Sequence, residues 1–171
     1  MKKILLVSSL LMLPVIQAMA ESPATPPTPA TLTVAQLLDL CASTTVADAA
    51  SKGDVLGWPR MTDAQTKSWR TSFLRFNGGS VSVVGWKRPQ AAGETLLSFW
   101  IATGPNAHRA CTYTATDTSG LLDALTSQLG KPDSLDTNEV STSAHWQDGQ
   151  RETSFTQVKA GSALINVSYR N

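Results

Sequence analysis

The chain has 171 residues, 42% of them hydrophobic, and 14 basic side chains against 13 acidic ones. A charge so evenly balanced gives no footing for nucleic acid or an anionic membrane surface as the main partner, and the length suits one domain with one core. The two cysteines, Cys41 and Cys111, are spaced for neither a CxxC redox pair nor a cysteine-histidine metal cluster.

From the N terminus, Lys2 and Lys3 precede an apolar run from Ile4 to Ile16, and Ala18-Met19-Ala20 places small residues where a signal peptidase reads. This is the layout of a secretory signal peptide over 1–20, and its apolar stretch is too short for a comfortable membrane span. The expectation is cleavage after Ala20 and a soluble mature protein in the periplasm or outside the cell. No lipid-attachment cysteine follows the run, and no later stretch is apolar enough for membrane insertion. In an oxidising compartment, an even number of cysteines favours a Cys41–Cys111 disulfide. Closing so long a loop contributes about 4 kcal/mol in the chain-entropy treatment.

Residues 21–33 hold four prolines and little apolar bulk, which predicts a disordered leader ahead of a single domain over 34–171. Thr33 and Gln36 have the spacing of a capping box, and Val34, Leu37, Leu38 and Cys41 fall on one helical face. A second helix is expected from Val46 to Lys52, with Gly53 as its left-handed stop. Gly57-Trp58-Pro59 breaks the pattern, and a longer helix runs from Thr62-Asp63 to Phe76 with Trp69, Phe73 and Phe76 as an aromatic stripe.

From Ser80 the period becomes two. Val81, Val83 and Gly85 alternate with Ser82, Val84 and Trp86, and Leu97, Phe99 and Ile101 mark the core face of a strand from Glu94 to Thr103. A third strand runs from His108 to Thr114. A helix from Ser119 to Leu129 ends at Gly130, with Pro132 beyond it. Three more strands follow, Val140 to Gln147, Arg151 to Val158 and Ala163 to Arg170, the first two joined by a strong Asp148-Gly149 hairpin signal. Strands linked by such short turns pair antiparallel. The pattern α-α-α-β-β-β-α-β-β-β therefore reads as an α+β fold, an antiparallel sheet of about six strands with helices packed on one face. The disulfide would join its first helix to its third strand.

No catalytic constellation emerges. The bases available to a nucleophilic hydrolase are His108 and His145, neither beside a GxSxG motif, and each reads as a surface or edge-strand histidine. Asp133, Asp136 and Glu139 lack the order of a calcium loop and read as a solvated acidic loop. Asp148 and Glu152 flank a hairpin tip, too exposed to raise a carboxyl pKa by burial. Neither a metal nor a cofactor is expected.

Two features point to binding instead. Trp58, Trp86 and Trp100 fall where the pattern does not demand burial, and tryptophan is a favoured contact residue. The alternative is that the sheet's second face packs under helices and makes these rings core. Charge is also segregated: Lys67, Arg70, Arg75, Lys87 and Arg88 lie between Asp63 and Glu94 with no acid among them, while the stretch from Asp117 to Glu152 is acidic.

An early helix carrying Cys41, the Gly57-Trp58 pair, Cys111 on a strand, the Leu129-Gly130-x-Pro132 helix end and Trp146 on a later strand together set a pattern. In these features the chain resembles a loose group of small secreted, mostly alphaproteobacterial proteins with no assigned activity. The helix, Leu-Gly-x-Pro and strand order also looks like envelope-assembly lipoproteins and secreted enzyme-inhibitor domains, although the lipid-attachment cysteine of the former and the tandem repeat of the latter are missing. The resemblance carries over no catalytic residue.

The functional expectation is a non-catalytic binding protein of the bacterial envelope with a protein partner. An inhibitor or immunity-type partner of an envelope-active enzyme fits this description. The competing readings are a carrier or sensor for a small apolar ligand lined by Trp86, Trp100 or Phe99, an envelope-assembly accessory, and a hydrolase using carboxylates.

Overall fold

The computed structural model describes residues 31–90, 93–159 and 161–170; the expected signal peptide at 1–20 and residues 21–30 of the expected leader lie outside them. Four helices and seven strands follow in the order α1 (Val34–Cys41), α2 (Val46–Asp54), α3 (Asp63–Asn77), β1 (Ser80–Gln90), β2 (Gly93–Thr103), β3 (His108–Ala115), α4 (Leu121–Leu129), β4 (Ser134–Thr137), β5 (Ser141–Asp148), β6 (Arg151–Val158) and β7 (Ser162–Arg170). The strands form one antiparallel sheet in the order β1-β2-β3-β7-β6-β5-β4. It consists of two meanders, β1 to β3 and β4 to β7, joined where β3 lies beside β7.

Packing begins earlier than expected. Leu32, inside the stretch read as leader, is part of the core. Thr33 then starts α1 with a reciprocal cap, its hydroxyl accepting from the Gln36 N–H at 3.2 Å while the Gln36 side chain accepts from the Thr33 N–H at 3.0 Å.

Because side chains alternate along a strand, the pairing register sorts them into rows on two faces. On the first face Val84, Phe99, Cys111, Val167, Thr153 and Trp146 stand side by side across six strands. The next row is Trp86, Leu97, Tyr113, Ile165, Phe155 and Ala144. Leu37, Leu40 and Leu125 from α1 and α4 close over these rows. The Cys41–Cys111 disulfide ties the end of α1 to the middle of β3, with Cα atoms 5.4 Å apart.

Trp86 corrects two expectations. It is fully buried, at 0% exposure, and faces the core with Val84, so the core face of β1 is the one opposite to Val83 and Gly85. Gly53 explains how it fits. That residue lies inside α2 and does not terminate it, and a Cβ there would run into the Trp86 ring, so glycine admits the indole against the helix. The left-handed residue after α2 is Gly57, at φ 66°. Asp54 completes the fit by accepting the indole N–H at 3.0 Å and binding the Arg60 guanidinium through both carboxylate oxygens. Arg60, with the Trp86 indole second, holds the Asp54 carboxyl below its ordinary pKa.

Two further expectations are corrected. β4 lies where an acidic loop is expected. Asp133 anchors it, donating its N–H to the His145 carbonyl at 2.9 Å and accepting the Gln147 N–H at 2.7 Å. All four β4 residues are exposed, so the strand carries no apolar alternation by which a sequence could announce it. Helices also pack on both faces of the sheet, not one: α1, α2 and α4 on the first, α3 on the second, where Trp69 and Phe73 meet Trp100.

Both sheet edges are protected against pairing with another chain. Residues 59–61 lie along the middle of β1, the Met61 N–H donating to the Gly85 carbonyl at 2.8 Å and the Lys87 N–H to the Pro59 carbonyl at 2.9 Å. The opposite edge, β4, is short and carries Asp136.

Candidate functional site

The second face of the sheet divides into a covered half and an open half, and α3 draws the line. Thr62 starts this helix with another reciprocal cap to Gln65, and Gly78, at φ 70°, ends it. Trp69 and Phe73, one turn apart, stack with ring centroids 5.0 Å apart, and Trp69 meets Trp100 edge-on at 5.4 Å. Phe73 also reaches His108, at 5.8 Å. These aromatic contacts hold α3 over β1 and β2.

Beyond Trp100 the same row continues through Ala110, Ser168, Glu152 and Gln147. Two small residues thus lie between a tryptophan wall and a charged wall, which leaves a hollow of about 520 Å³. Its lining includes Trp100, Asn106, His108, Glu152, Asn166 and Arg170. The neighbouring rows on β3, β7, β6 and β5 carry Thr112, Asn166, Ser154 and His145, then Thr114, Leu164, Thr156 and Ser143. Leu164 is 45% exposed within this hydroxyl- and amide-rich surface.

Hydrogen bonding orders the walls. The Trp100 indole N–H donates to His108 Nε2 at 3.2 Å. An indole N–H can only donate, so the His108 proton is on Nδ1, which donates to the Asn106 carbonyl at 2.8 Å. Both nitrogens of His108 are therefore engaged, and the ring is a structural prop for Trp100. On the other wall, Glu152 takes His145 Nε2 on one oxygen at 3.2 Å and the Arg170 guanidinium on the other at 3.3 Å. Thr112 donates its hydroxyl to Asn166 Oδ1 at 3.0 Å, which turns the Asn166 amide nitrogen away from that contact. The arrangement presents donors and acceptors in fixed positions, and its ionisable groups already hold one another.

Of the three tryptophans proposed for a binding surface, Trp100 lines the hollow, whereas Trp86 and Trp58, the latter 4% exposed, are packed inside. Trp86 and Phe99 are sealed in the core, so neither lines an open ligand cavity with Trp100. The basic cluster is not brought together. Lys67, Arg70 and Arg75 lie on α3, and Arg70 is drawn back to the Asp63 carbonyl at 3.1 Å. Lys87 pairs with Glu94 on the second face, while Arg88, one residue on, lies on the first with its guanidinium 5.9 Å from the Trp58 ring centroid. Asp148 and Glu152 are likewise separated: Asp148 stands opposite Arg151 and pairs with it, on the face away from Glu152. Among the described residues, no group of three or more His, Cys, Asp or Glu side chains is placed to hold a metal ion.

Asn166, Ser168, Glu152 and Arg170 are the site residues that motif reasoning misses. Their signal is the period-two recurrence of polar side chains, Glu152-Ser154-Thr156 on β6 and Asn166-Ser168-Arg170 on β7. It reads as an ordinary solvated face until α3 is seen to cover only the neighbouring strands. Among the described residues no helix is long and apolar enough to cross a membrane. Comparison with protein-family models, curated proteins and solved structures finds no match.

Proposed function

We propose that the chain is an exported, non-catalytic binding protein that docks a protein partner on the open half of its second sheet face. The observation that carries this reading is the contrast within one face: Trp69 and Phe73 cover Trp100 from one side, while among the described residues no helix packs over Asn166, Ser168, Ser154 and His145 beyond it. A polar surface backed by the packed core, with a hollow in it, suits a partner loop rich in hydrogen-bonding groups, whose tip enters between Trp100 and Arg170. The disulfide supports an oxidising location. The internal engagement of His108 and Glu152 supports binding over catalysis. In the envelope, such a surface fits an inhibitor or immunity-type partner of an envelope-active enzyme.

The test is affinity capture from periplasmic extract with the mature chain and with Asn166→Arg and Ser154→Arg, each of which puts a bulky charge on the open face. The expected result is a stoichiometric partner held by the wild type and by Asp123→Asn on α4, and bound at least about tenfold more weakly by both arginine variants. Recovery of no stoichiometric partner at any salt concentration, or capture indifferent to the arginines, would contradict the proposal.

A further inference from the structure

Two exposed apolar patches lie outside both the core and the open half of the second face, and each has an excess of one charge. The first is on α3. Phe76 is 84% exposed and Leu74 is exposed too, with Lys67 and Arg75 on the same helix. Among the described residues neither Lys67 nor Arg75 has an ion pair, whereas Arg70 is paired with Asp63. The second patch is β4 with its turn into β5. Val140 is 68% exposed and Leu135 is exposed, and between them Asp136 and Glu139 have no ion pair among the described residues. Lys131 and Lys159 flank this stretch, but with Asp133 the acids outnumber them.

Both patches are held in place. At the end of α3 the Gly78 N–H donates to the Leu74 carbonyl at 3.0 Å, and the Asn106 side chain donates to the Asn77 carbonyl at 3.3 Å. In the other patch, Asn138 Oδ1 accepts the N–H groups of Val140 at 2.8 Å and Ser141 at 2.9 Å. The Val140 carbonyl accepts the Lys159 N–H at 2.9 Å. Phe76 and Val140 are therefore presented to solvent by ordered backbone, an arrangement that favours contact with another surface.

The sheet order keeps the two patches apart within one molecule. α3 packs over β1 and β2, and β4 is the strand at the opposite edge. Neighbouring strands are about 4.8 Å apart, so the five steps from β2 to β4 amount to about 24 Å. Short, charged β4 resists strand addition. Its outer side is nevertheless uncovered among the described residues, since β4 pairs with β5 alone. A helix laid against that side covers Leu135 and Val140 without needing backbone hydrogen bonds.

We propose that the two patches bind one another between copies of this chain, α3 of one molecule lying against the β4 edge of the next. The occupant is a second copy because the chain carries both complementary halves: Lys67 and Arg75 match Asp136 and Glu139, and Leu74 and Phe76 match Leu135 and Val140. The contact joins different surfaces, so copies add head to tail. Both patches are small, which makes the association transient and sensitive to salt. It is independent of the docking proposal, because it uses other residues.

Sedimentation of the mature chain with reciprocal charge swaps tests it. At about 20 mM salt the average mass should rise as protein increases from about 0.1 to 1 mM, and about 0.5 M salt should return it to the monomer value. Lys67→Glu with Arg75→Glu, and separately Asp136→Lys with Glu139→Lys, should each weaken the association at least about tenfold, because like charges then face one another. All four side chains are exposed, so melting temperatures should stay close to that of the wild type. Mixing the two swapped proteins should restore association, since each then supplies the surface that the other has lost. Asn166→Ala should leave the wild-type association unaltered. A monomer at every concentration, association indifferent to either swap, swapped proteins that stay apart when mixed, or weakening by Asn166→Ala would overturn the proposal.

Discussion

The two faces of this sheet are built from the same strands, residue by alternate residue, and they have opposite characters. On the first face, Phe99, Cys111, Val167 and Phe155 are buried beneath three helices, and a disulfide passes from helix to sheet at its centre. On the second, α3 is the one helix among the described residues, covering β1 and β2 through Trp69, Phe73 and Trp100, and the surface beyond is mostly serine, threonine, asparagine and histidine, with Leu164, Glu152 and Arg170 among them. The difference teaches that the first face carries the stability and the second is free to carry recognition. A protein whose helices covered both faces completely would have no broad rigid surface left to offer.

Substitutions can break or sharpen this contrast. The largest effect should come from the cystine: Cys41→Ala with Cys111→Ala is expected to lose about 4 kcal/mol of stability in urea unfolding, given a separation of 70 residues. On the same face, Phe155→Ala should lose about 3 kcal/mol by leaving a cavity in the core. Gly53→Ala is smaller, about 2 kcal/mol, because its new methyl group must displace the Trp86 ring; near-ultraviolet circular dichroism should report the displaced indole.

A weaker effect is tied to pH. The Asp54 carboxyl is held below its ordinary pKa, so its contribution to stability is fully present above the unfolded-state value and is lost as pH falls through the folded one. Acid titration of the melting temperature should therefore show a fall below about pH 4. Asp54→Asn should flatten that fall by less than about 1 kcal/mol, since the pair with Arg60 is half exposed. Asn166→Ala on the open face closes the series, with a stability change within about 0.5 kcal/mol and its effect confined to binding.

Much of this fold is legible in the residues themselves. Thr33 with Gln36 and Thr62 with Gln65 start helices where both capping partners are close in sequence, and Asp148-Gly149 turns one strand into the next by local conformational preference alone. The α+β class follows from such local signals, as does a disulfide from two cysteines in a chain whose first residues read as an export signal. What local reading misses depends on what lies across space. Trp86 belongs to the core because Gly53, 33 positions earlier in the chain, leaves room for its ring. β4 has no apolar face of its own and exists because β5 offers it an edge. The site is illegible for the same reason: the polar alternation of β6 and β7 looks like any solvated face, and only the reach of α3 separates open from covered. Glu152, next to a hairpin tip in sequence, becomes the anchor for His145 and Arg170 only once β7 lies beside β6.

Side-chain oxidation by hydroxyl radicals, mapped by mass spectrometry with the captured partner absent and then present, tests the division of the sheet most directly. In the free protein, His145 and Leu164 should oxidise readily and Trp86, Phe99 and Phe155 slowly. In the complex, His145, Leu164 and Trp100 should become protected while exposed Val55, on the α2 side, does not. Oxidation of Phe155 as fast as Leu164, or a complex that protects Val55 and leaves His145 and Leu164 unchanged, would contradict the account.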